Sequence, residues 1–581
     1  MPKIEIKMLE VDLTNETFKI LNVTEDAKKH IGGSGLGAKL LWDRLPKDVD
    51  PLSPQNILYV GVGPMTSLVG TKVSHVFKSP QNDWFGEASI SGRVGREIIY
   101  AGYNAGILIS GKSANPSYLY IKDDDIQIRD AKDLWGCLRQ KTEYTLMEQL
   151  RKETGETFGV EVIGPAGENL VRYANISSEY VHSASTWGSG AVMGSKNLKA
   201  IAVAGTRGPD YADHKKVFEL FTKYRTSSEI LTTKYRRRRY GSMRTVAGIY
   251  HIGGDGIKNQ HLGWDDICLK SNDESYVIEY VTHNDGCPGC ATSCFIPFFQ
   301  RDFLEPTCGE LRHGNYTSFL ANVMVGYEEM NIIEPLVEEL GLNSPQAGTM
   351  VAWIMDLYDR GLITKDQLGG IDLKWGDTKG ICELLMKIAY KEGIGKILAE
   401  GFKWAIPALG EEAGYYAWHH HWQGDARRDP RRYHRIYMVN APSLEDTATV
   451  CSFAASSIGA IFGSTTECIR QYLNAICGWE LTLKDLSHIE ERNKLLGRCF
   501  SLREGFIPLK DDILPDRCFE EVLVDKYGNK LMLDKNWYLT ELERYYTANN
   551  LSQRGFPTKE HLKQLELNYV IPVLESIGSI D

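Results

Sequence analysis

The chain has 581 residues and a net charge of −10, with 43% hydrophobic and 24% charged residues. This composition is typical of a water-soluble globular protein, and at roughly 100–200 residues per domain the length predicts about three domains. The acidic balance argues against nucleic acid as a main partner, because binding phosphates requires a basic surface.

The beginning of the chain favours a cytoplasmic location. Residues 1–13 alternate between polar and apolar positions like a β-strand. They lack the apolar core of a secretory signal peptide. The sequence contains no apolar run of about 18 residues, so no membrane span is predicted.

The chain is expected to adopt an α+β fold, with a β-rich part followed by mainly helical parts. Short strands between glycine turns are predicted at 56–62, 105–110 and 199–204. Helical periodicity dominates afterwards, for example at 346–360 and 483–498. No internal repeat is evident in the sequence. The predicted domains are a β-rich base at 1–208 and two helical domains at 209–410 and 411–581.

A run of four arginines at 236–239, between two tyrosines, is the most basic segment. One interpretation is a solvated loop or helix end. The other is a docking patch for an acidic electron carrier.

Three of the twelve cysteines form a compact motif: Cys287, Cys290 and Cys294 in the spacing C-x2-C-x3-C. A Pro-Gly pair inside the motif favours the turn that lets the thiolates approach one centre. Ala291 stands where attachment of a c-type haem needs histidine, and no second cysteine or histidine pair follows to complete a zinc site. The motif therefore favours a [4Fe–4S] cluster, which usually has four thiolate ligands. Zinc and unrelated buried cysteines remain alternatives, and the motif alone leaves the fourth ligand open.

Several segments together resemble the tungsten-containing aldehyde ferredoxin oxidoreductase family, and the resemblance covers essentially the whole chain. The cysteine motif matches in spacing and in position along the chain. The other matching segments are 32–45 (GGSGLGAKLLWDRL), 78–80 (KSP), 100–112 (YAGYNAGILISGK), 190–201 (GAVMGSKNLKAI) and 555–562 (GFPTKEHL).

The resemblance implies a β-rich base that carries two pyranopterins beneath two helical domains. The pterins would supply four dithiolene sulfurs to one tungsten or molybdenum, with a [4Fe–4S] cluster close by. A Mg²⁺ ion that bridges the pterin phosphates is a further candidate.

The resemblance also implies a fourth cluster ligand, at the end of a D-x-x-G-L-C pattern. Asp446 and Cys451 match the ends of this pattern, whereas Val450 replaces its leucine and the glycine is missing. Cys499, in a segment that looks like a later family helix, is the rival ligand. Cys451 is preferred.

A second family pattern, D-x-x-G-L-D, is similar to Glu338, Gly341, Leu342 and Asn343. An acidic or amide side chain would accept hydrogen bonds from the pterin, and the glycine would permit close approach of the backbone. The same glycine also fits the end of a helix, and both interpretations can hold together.

Departures from the family pattern affect the phosphate side of the pterins. Lys72 stands where the family usually has an arginine. The family block R-G-G-x-G becomes TWGSG here, so its arginine is missing and Gly190 remains. Arginine's bidentate guanidinium is not replaced by threonine. Arg93, next to Gly92, or else Arg96, is expected to compensate.

The substrate side is assigned by position within the family pattern. Glu310 and His313 stand near the place of a family glutamate that handles protons, and His434 is the nearest candidate for a family histidine. Exposed polar residues are the alternative for each. The triple histidine at 419–421 either lines the pocket or lies at the surface.

The expected reaction is oxidation of an aldehyde to a carboxylic acid, with ferredoxin or an iron–sulfur electron-transfer subunit as the acceptor. The cofactors supply the redox chemistry, and the protein supplies binding and proton transfer. A homodimer or a hetero-oligomer is expected, and direct use of NAD is not. One alternative is a tungsten reductase of the benzoyl-CoA reductase type, with Cys308 near the metal. Another is an electron-transfer subunit that holds only the cluster.

Overall fold

The computed structural model of the chain describes residues 4–66, 68–179, 182–227, 241, 256–270, 286–292, 294, 297–300, 307–310, 313–425, 429–434 and 441–581. At 269–270, 297–300, 307–310, 313–315 and 456 only the backbone is described. The arginine run at 236–239 lies outside the described residues.

Two six-stranded sheets form the N-terminal part of the protein. The first has the strand order β2-β1-β6-β3-β4-β5, and the second has the order β11-β10-β9-β12-β7-β8. The strands are β1 Lys7–Asp12, β2 Thr17–Asn22, β3 Leu58–Gly61, β4 Lys72–Lys78, β5 Phe85–Ser91, β6 Gly106–Ser110, β7 Ser117–Lys122, β8 Asp125–Asp130, β9 Gly159–Ile163, β10 Ile176–Ser178, β11 His182–Ala184 and β12 Leu198–Ala204.

The two sheets have the same topology, so the base is an internal duplication. Read from β8, the second sheet follows the order of the first read from β2. The parallel pairs are β1 with β6 in the first sheet and β7 with β12 in the second. All other neighbouring strands in the two sheets are antiparallel. No repeat is evident in the sequence, because the two halves share a strand order rather than a recognisable sequence period.

An apolar core joins the two sheets. Leu9, Val60 and Phe77 of the first sheet and Ile163 and Ile201 of the second belong to one buried cluster. Four of these five residues are β-branched or aromatic, and such residues pack well on pleated surfaces, which favours strands in both halves.

Helices dominate after residue 213. Several of the longer helices begin at side-chain caps: Asp213 accepts from the Lys216 amide at 2.9 Å, and Thr482 forms a capping box with Asp485. The longer helices are α1 His214–Thr226, α2 Tyr327–Leu340, α3 Ser344–Asp359, α4 Thr378–Ala389, α5 Ser452–Phe462, α6 Thr465–Cys477, α7 Leu483–Arg503 and α8 Lys535–Ala548. Shorter helices in this region are Ile267–Lys270, His313–Phe319, Gly395–Leu398, Phe402–Leu409, Glu411–Tyr415, Pro430–Tyr433, Leu444–Thr447, Arg517–Glu520, Lys559–Gln564 and Ile571–Ser576. The base contains the helices Thr24–His30, Gly33–Arg44, Val94–Tyr100, Arg139–Thr154, Pro165–Glu168 and Ser189–Ser195.

Each half of the base packs against a different group of helices. One buried cluster joins residues of the first 85 positions, such as Tyr59, to C-terminal helix residues such as Leu496. A second joins Tyr173 and Ala174 to residues between 257 and 417, such as Trp353.

The expected α+β fold, a β-rich base followed by mainly helical structure, is confirmed. The domain boundaries at 208 and 410 stay predictions. None of the described helices is long and apolar enough to span a membrane.

Candidate functional site

Two short segments of the helical region share one backbone geometry. Each contains a residue in the left-handed conformation, Gly341 with φ 75° and Thr449 with φ 58°. Two positions later, Asn343 and Cys451 are the N-caps of α3 and α5. Each segment is therefore a tight connection between two helices.

The hydrogen bonds of the two segments also correspond. The Leu342 amide donates to the Val337 carbonyl at 3.1 Å, and the Val450 amide donates to the Glu445 carbonyl at 2.8 Å. The two sequence patterns, 338–343 and 446–451, are thus structural equivalents in the two helical regions. We call them the first and the second pattern.

Each pattern lies against a Gly-Pro pair that follows a strand of the base. A Cβ on Gly164 would come within 2.7 Å of the Leu340 carbonyl carbon. A Cβ on Gly63 would lie 2.9 Å from Thr449 Oγ1 and 3.3 Å from the Ala448 carbonyl carbon. Since β3 and β9 are equivalent strands of the duplicated base, each half of the base holds one pattern. The glycines permit this close approach.

Thr449 occupies the position of the missing family glycine and adopts the backbone conformation that glycine would favour. A β-branched residue in the left-handed region costs roughly 1–2 kcal/mol. The cost is offset by burial and by a 2.7 Å hydrogen bond between the Thr449 and Thr66 hydroxyls. The geometry of the pattern is therefore kept although its sequence departs from the family.

The acidic residue of each pattern faces a cation from the base. Arg139 donates from Nε to the Glu338 carbonyl at 3.1 Å, and its Nη2 lies 3.5 Å from the Glu338 carboxylate. Lys72 forms an ion pair with Asp446. Lysine thus takes the place of the family arginine by pairing with the acid of the second pattern.

The environment of Asp446 is strongly polar. Its carboxylate accepts from Ser443 Oγ at 2.5 Å. Burial alone would raise the pKa of Asp446, but the Lys72 ammonium and the Ser443 hydroxyl outweigh burial and lower it. Nearby, burial and the charge of Asp446 raise the pKa of Glu87 well above its ordinary value. The Lys72 ammonium therefore interacts with two carboxyl groups, those of Asp446 and Glu87.

Cys451, at the end of the second pattern, lies near the three clustered cysteines. Burial raises the pKa of Cys287, and the thiolates of Cys290, Cys451 and Cys294 raise it further, in that order. The rival Cys499 is fully buried within α7, where burial raises its pKa to about 12. The structure brings Cys451, and not Cys499, to the motif.

The four thiols do not converge on one point. No group of three or more His, Cys, Asp or Glu side chains in the described part of the chain is arranged to hold a single metal ion. A [4Fe–4S] cluster binds four thiolates on different irons, whereas a zinc site gathers its ligands around one ion. The described cysteines are all free thiols.

Buried donors near the first pattern have no hydrogen-bond partner among the described residues. These are Asn343 Nδ2, Gln346 Nε2 and Tyr173 Oη. Asn343 Oδ1 already accepts from the Gln346 amide at 3.2 Å as an N-cap. Because buried polar groups are normally satisfied, these donors fit a bound group that offers acceptors, as a pterin does. The amide oxygen of Asn343, the acceptor predicted from the sequence, thus already caps α3, and its Nδ2 is a donor available to a ligand.

The residues expected near the pterin phosphates differ in their surroundings. Arg93 lies 3.8 Å from Glu97 and 3.9 Å from Glu179, with a third of its side chain exposed. A Cβ on Gly92 would lie 3.2 Å from the same Glu179. Gly190 packs directly on the Asn175 backbone, where a Cβ would come within 2.2 Å, so its role here is close packing.

The substrate-side candidates are only partly described. Glu310 ends the strand Thr307–Glu310, and His313 begins the helix His313–Phe319, so their backbones are close in sequence and joined by a short connection. His434 is exposed and packs on Trp537 at 5.2 Å between ring centroids. The described contacts do not connect His434 to either pattern, and its exposure favours a surface role.

The triple histidine is mostly internal, not a solvated surface run. Burial lowers the pKa of His419 to about 4, and its ring stacks on Trp422 at 4.9 Å. His421 is buried and lies 3.2 Å from the carboxylate of Asp512. Sequence reasoning missed Asp512, whose partner is distant in the chain and which belongs to no recognisable motif.

The close contact between Gly341 and the base predicts that Gly341→Ala destabilises the protein more than Gly155→Ala. Gly341 and Gly155 both end helices in the left-handed conformation. A Cβ on Gly341 would lie 2.9 Å from the Gly164 amide nitrogen, whereas a Cβ on Gly155 meets nothing within 4 Å. We expect Gly155→Ala to cost about 1 kcal/mol and Gly341→Ala about 1–3 kcal/mol more. Thermal unfolding followed by circular dichroism measures the difference; equal midpoints would contradict the close contact.

Comparison with known proteins agrees with this arrangement. The model of the aldehyde ferredoxin oxidoreductase N-terminal domain matches residues 8–205, and that of domains 2 and 3 matches 219–445 and 433–567. A tungsten-containing aldehyde ferredoxin oxidoreductase of Pyrococcus furiosus is 32% identical over 617 aligned positions, covering 96% of this chain and 98% of the relative. The WOR-like subunit of an aliphatic sulfonate oxidoreductase of the same organism is 31% identical, covering 96% of each.

A solved structure shows the same fold. The active-site complex BamBC of benzoyl coenzyme A reductase with 1,5-dienoyl-CoA contains a chain that matches at a TM-score of 0.78 and 23% identity, covering 98% of both chains.

The fold and these relatives define an oxidoreductase. The chain belongs to the aldehyde ferredoxin oxidoreductase family. The cofactors expected from the sequence, a tungsten bis-pyranopterin and a [4Fe–4S] cluster, are those of this family.

Proposed function

We propose that the chain oxidises an aldehyde to a carboxylic acid and passes the electrons to a ferredoxin-type acceptor. The supporting observation is the placement of Cys451, which ends the second pattern and also lies near Cys287, Cys290 and Cys294. A metal–pterin group at the patterns and a cluster at the cysteines would thus be neighbours. Aldehyde and water give acid, two protons and two electrons, and the cluster accepts one electron at a time.

The tungsten–pterin group, when bound, supplies the two-electron redox chemistry. In this proposal Asn343, Gln346 and Tyr173 donate hydrogen bonds to one pterin. Lys72 holds Asp446 at the other. Glu310 and His313 are the proposed proton acceptors near the substrate, and we expect alanine at either position to lower turnover without loss of tungsten.

Elemental analysis with an activity assay tests the function. Anaerobically purified protein should contain four irons, one tungsten or molybdenum and two pterins per chain, and should reduce a viologen dye when supplied with an aldehyde. Iron without tungsten or molybdenum would instead support a subunit that carries only the cluster. A protein that contains the metal but oxidises no aldehyde would contradict the proposed reaction.

His182 is expected to tune the cluster. Its Nε2 lies 3.8 Å from Cys287 Sγ, and the residue is buried. A hydrogen bond to this sulfur favours the more negative, reduced cluster. We expect His182→Ala to lower the midpoint potential by about 40 mV, which corresponds to about 1 kcal/mol for one electron. His182→Gln, which keeps a donor, should restore most of the potential. Redox titration followed by electron paramagnetic resonance measures both; equal potentials would exclude the bond.

A reductase of the benzoyl-CoA type remains the second candidate, because Cys308 lies in the same strand as Glu310. We propose that neither Cys308 nor another cysteine is bonded to the metal. X-ray absorption at the tungsten edge should then show the same sulfur coordination in the protein and in Cys308→Ala. Loss of one sulfur in the variant would favour the reductase.

A further inference from the structure

Helix α1 lies directly on the cysteine loop. Tyr224, on the buried side of this helix, accepts from the Ala291 amide at 3.3 Å. Arg225, on its outer side, donates from Nη1 to the Cys290 carbonyl at 3.1 Å. The helix is therefore hydrogen-bonded to the backbone of the loop that carries the proposed cluster ligands.

The outer side of α1 is basic although the whole chain is acidic. The helix carries four cations, Lys215, Lys216, Lys223 and Arg225, and one carboxylate, Glu219, and all five are exposed. The chain as a whole carries a net charge of −10. An acidic carrier would be repelled by most of this surface, and a local basic patch orients it within about one Debye length, roughly 8 Å.

Two exposed phenylalanines belong to α1 and to α5. Phe218 is 69% exposed and stands seven residues before Arg225, so both occupy the same stripe of the helix. Phe453 is 42% exposed and stands two residues after Cys451, at the start of α5. Helices α1 and α5 are in contact, and the Lys223 ammonium lies 4.4 Å from the ring centroid of Phe462 in α5. Exposed aromatic side chains next to charged ones, such as Phe218 beside the cations of α1, are typical of a docking surface.

We infer that the outer face of α1, with Phe453, is the docking surface for an acidic iron–sulfur protein that exchanges electrons with the cluster. The inference rests on the proposed function, since it needs a cluster at the four cysteines. One electron passes from the reduced cluster of this chain to the oxidised cluster of the partner, and no bond forms or breaks. The arginines at 236–239 are not among the residues that we assign to this surface.

Charge reversal tests the surface without touching the cysteine loop. The full-length holoprotein is reduced with titanium(III) citrate and mixed with an oxidised acidic ferredoxin, and electron transfer is followed by stopped-flow absorbance over a series of salt concentrations. Lys215→Glu/Lys223→Glu should lower the second-order rate constant at low salt by about tenfold or more and should flatten its salt dependence. Phe218→Ser should slow transfer at every salt concentration.

A matched control has the same change in net charge at another place. Lys379 and Lys396 are exposed on α4 and on the helix Gly395–Leu398, and Lys379→Glu/Lys396→Glu should change the rate constant by less than about twofold. An equal loss in both double variants, or no loss in the first, overturns the docking surface.

Different results would contradict the proposed function and the docking surface. Reduction of a viologen dye by each reduced protein, together with its iron content, reports on the cluster alone. Protein without iron would overturn the proposed function and, with it, the docking surface. Protein with a full cluster and normal dye reduction, whose Lys215→Glu/Lys223→Glu variant reduces ferredoxin at the wild-type rate, overturns only the docking surface.

Discussion

Replacing Cys451 with serine should remove most of the iron from the protein. Cys451 lies with Cys287, Cys290 and Cys294, and a cluster that loses one of four thiolates is held weakly. We expect iron content and the visible absorbance of the anaerobically purified variant to fall at least severalfold. Colorimetric iron analysis and ultraviolet–visible spectroscopy measure both.

Cys499→Ser is the matched control, because Cys499 was the rival ligand in the sequence. Its thiol is fully buried in α7 and belongs to the apolar core that joins the base to the C-terminal helices. The variant should lose some stability but keep its iron. Loss of iron in Cys499→Ser together with full iron in Cys451→Ser would reverse the assignment.

Replacing Lys72 with glutamine should lower both tungsten content and stability. Without the ammonium, the mostly buried Asp446 carboxylate keeps its charge but loses its cation, which weakens the contact between the second pattern and the base. Breaking a buried ion pair costs about 3–5 kcal/mol, and we expect about 2–3 kcal/mol here. The cost is smaller because 25% of the Asp446 side chain is exposed.

The conservative variant and a surface pair are the controls. Lys72→Arg should keep tungsten, since it restores the cation of the family pattern. Lys39 also pairs with an aspartate, Asp43, but on the surface of a helix in the base, so Lys39→Gln should cost only about 0.5 kcal/mol. Mass spectrometry for tungsten and thermal unfolding measure these effects. Normal tungsten in Lys72→Gln would contradict the role of the pair.

The two pKa shifts define how the contribution of the Lys72–Asp446 pair to stability changes with pH. The pKa of Asp446 is lowered in the folded protein, so its stabilisation is present above the ordinary value of 3.8 and is lost as the pH falls through the lowered pKa. The pKa of Lys72 is raised, because its attraction to Asp446 outweighs burial. Its stabilisation is lost only as the pH rises through that raised value. The contribution of the pair therefore covers neutral pH.

Local sequence patterns predicted the features that depend on local chemistry. The spacing of Cys287, Cys290 and Cys294 indicated a cluster, and Gly341 was recognised as a helix end, which the structure shows. The duplicated base was not predicted, because it is a relation between strand orders. Nor was Thr449 recognised in a glycine-like conformation, since only packing against Gly33 and Gly63 imposes it.

Partners far apart in sequence were also missed. The acid of the second pattern was recognised, but its pairing with Lys72 joins residues 374 positions apart. His421 and Asp512 are 91 positions apart. Neither residue type nor periodicity carries information about such pairs.

The separation between Lys72 and Asp446 has a consequence for biogenesis. The first half of the base is synthesised early, whereas the segment that completes it, with the fourth thiol, emerges from the ribosome several hundred residues later. Contacts of such long sequence separation form slowly and leave apolar surface exposed meanwhile. We therefore expect the iron and the metal–pterin group to be inserted only after the segment with Asp446 and Cys451 has been synthesised.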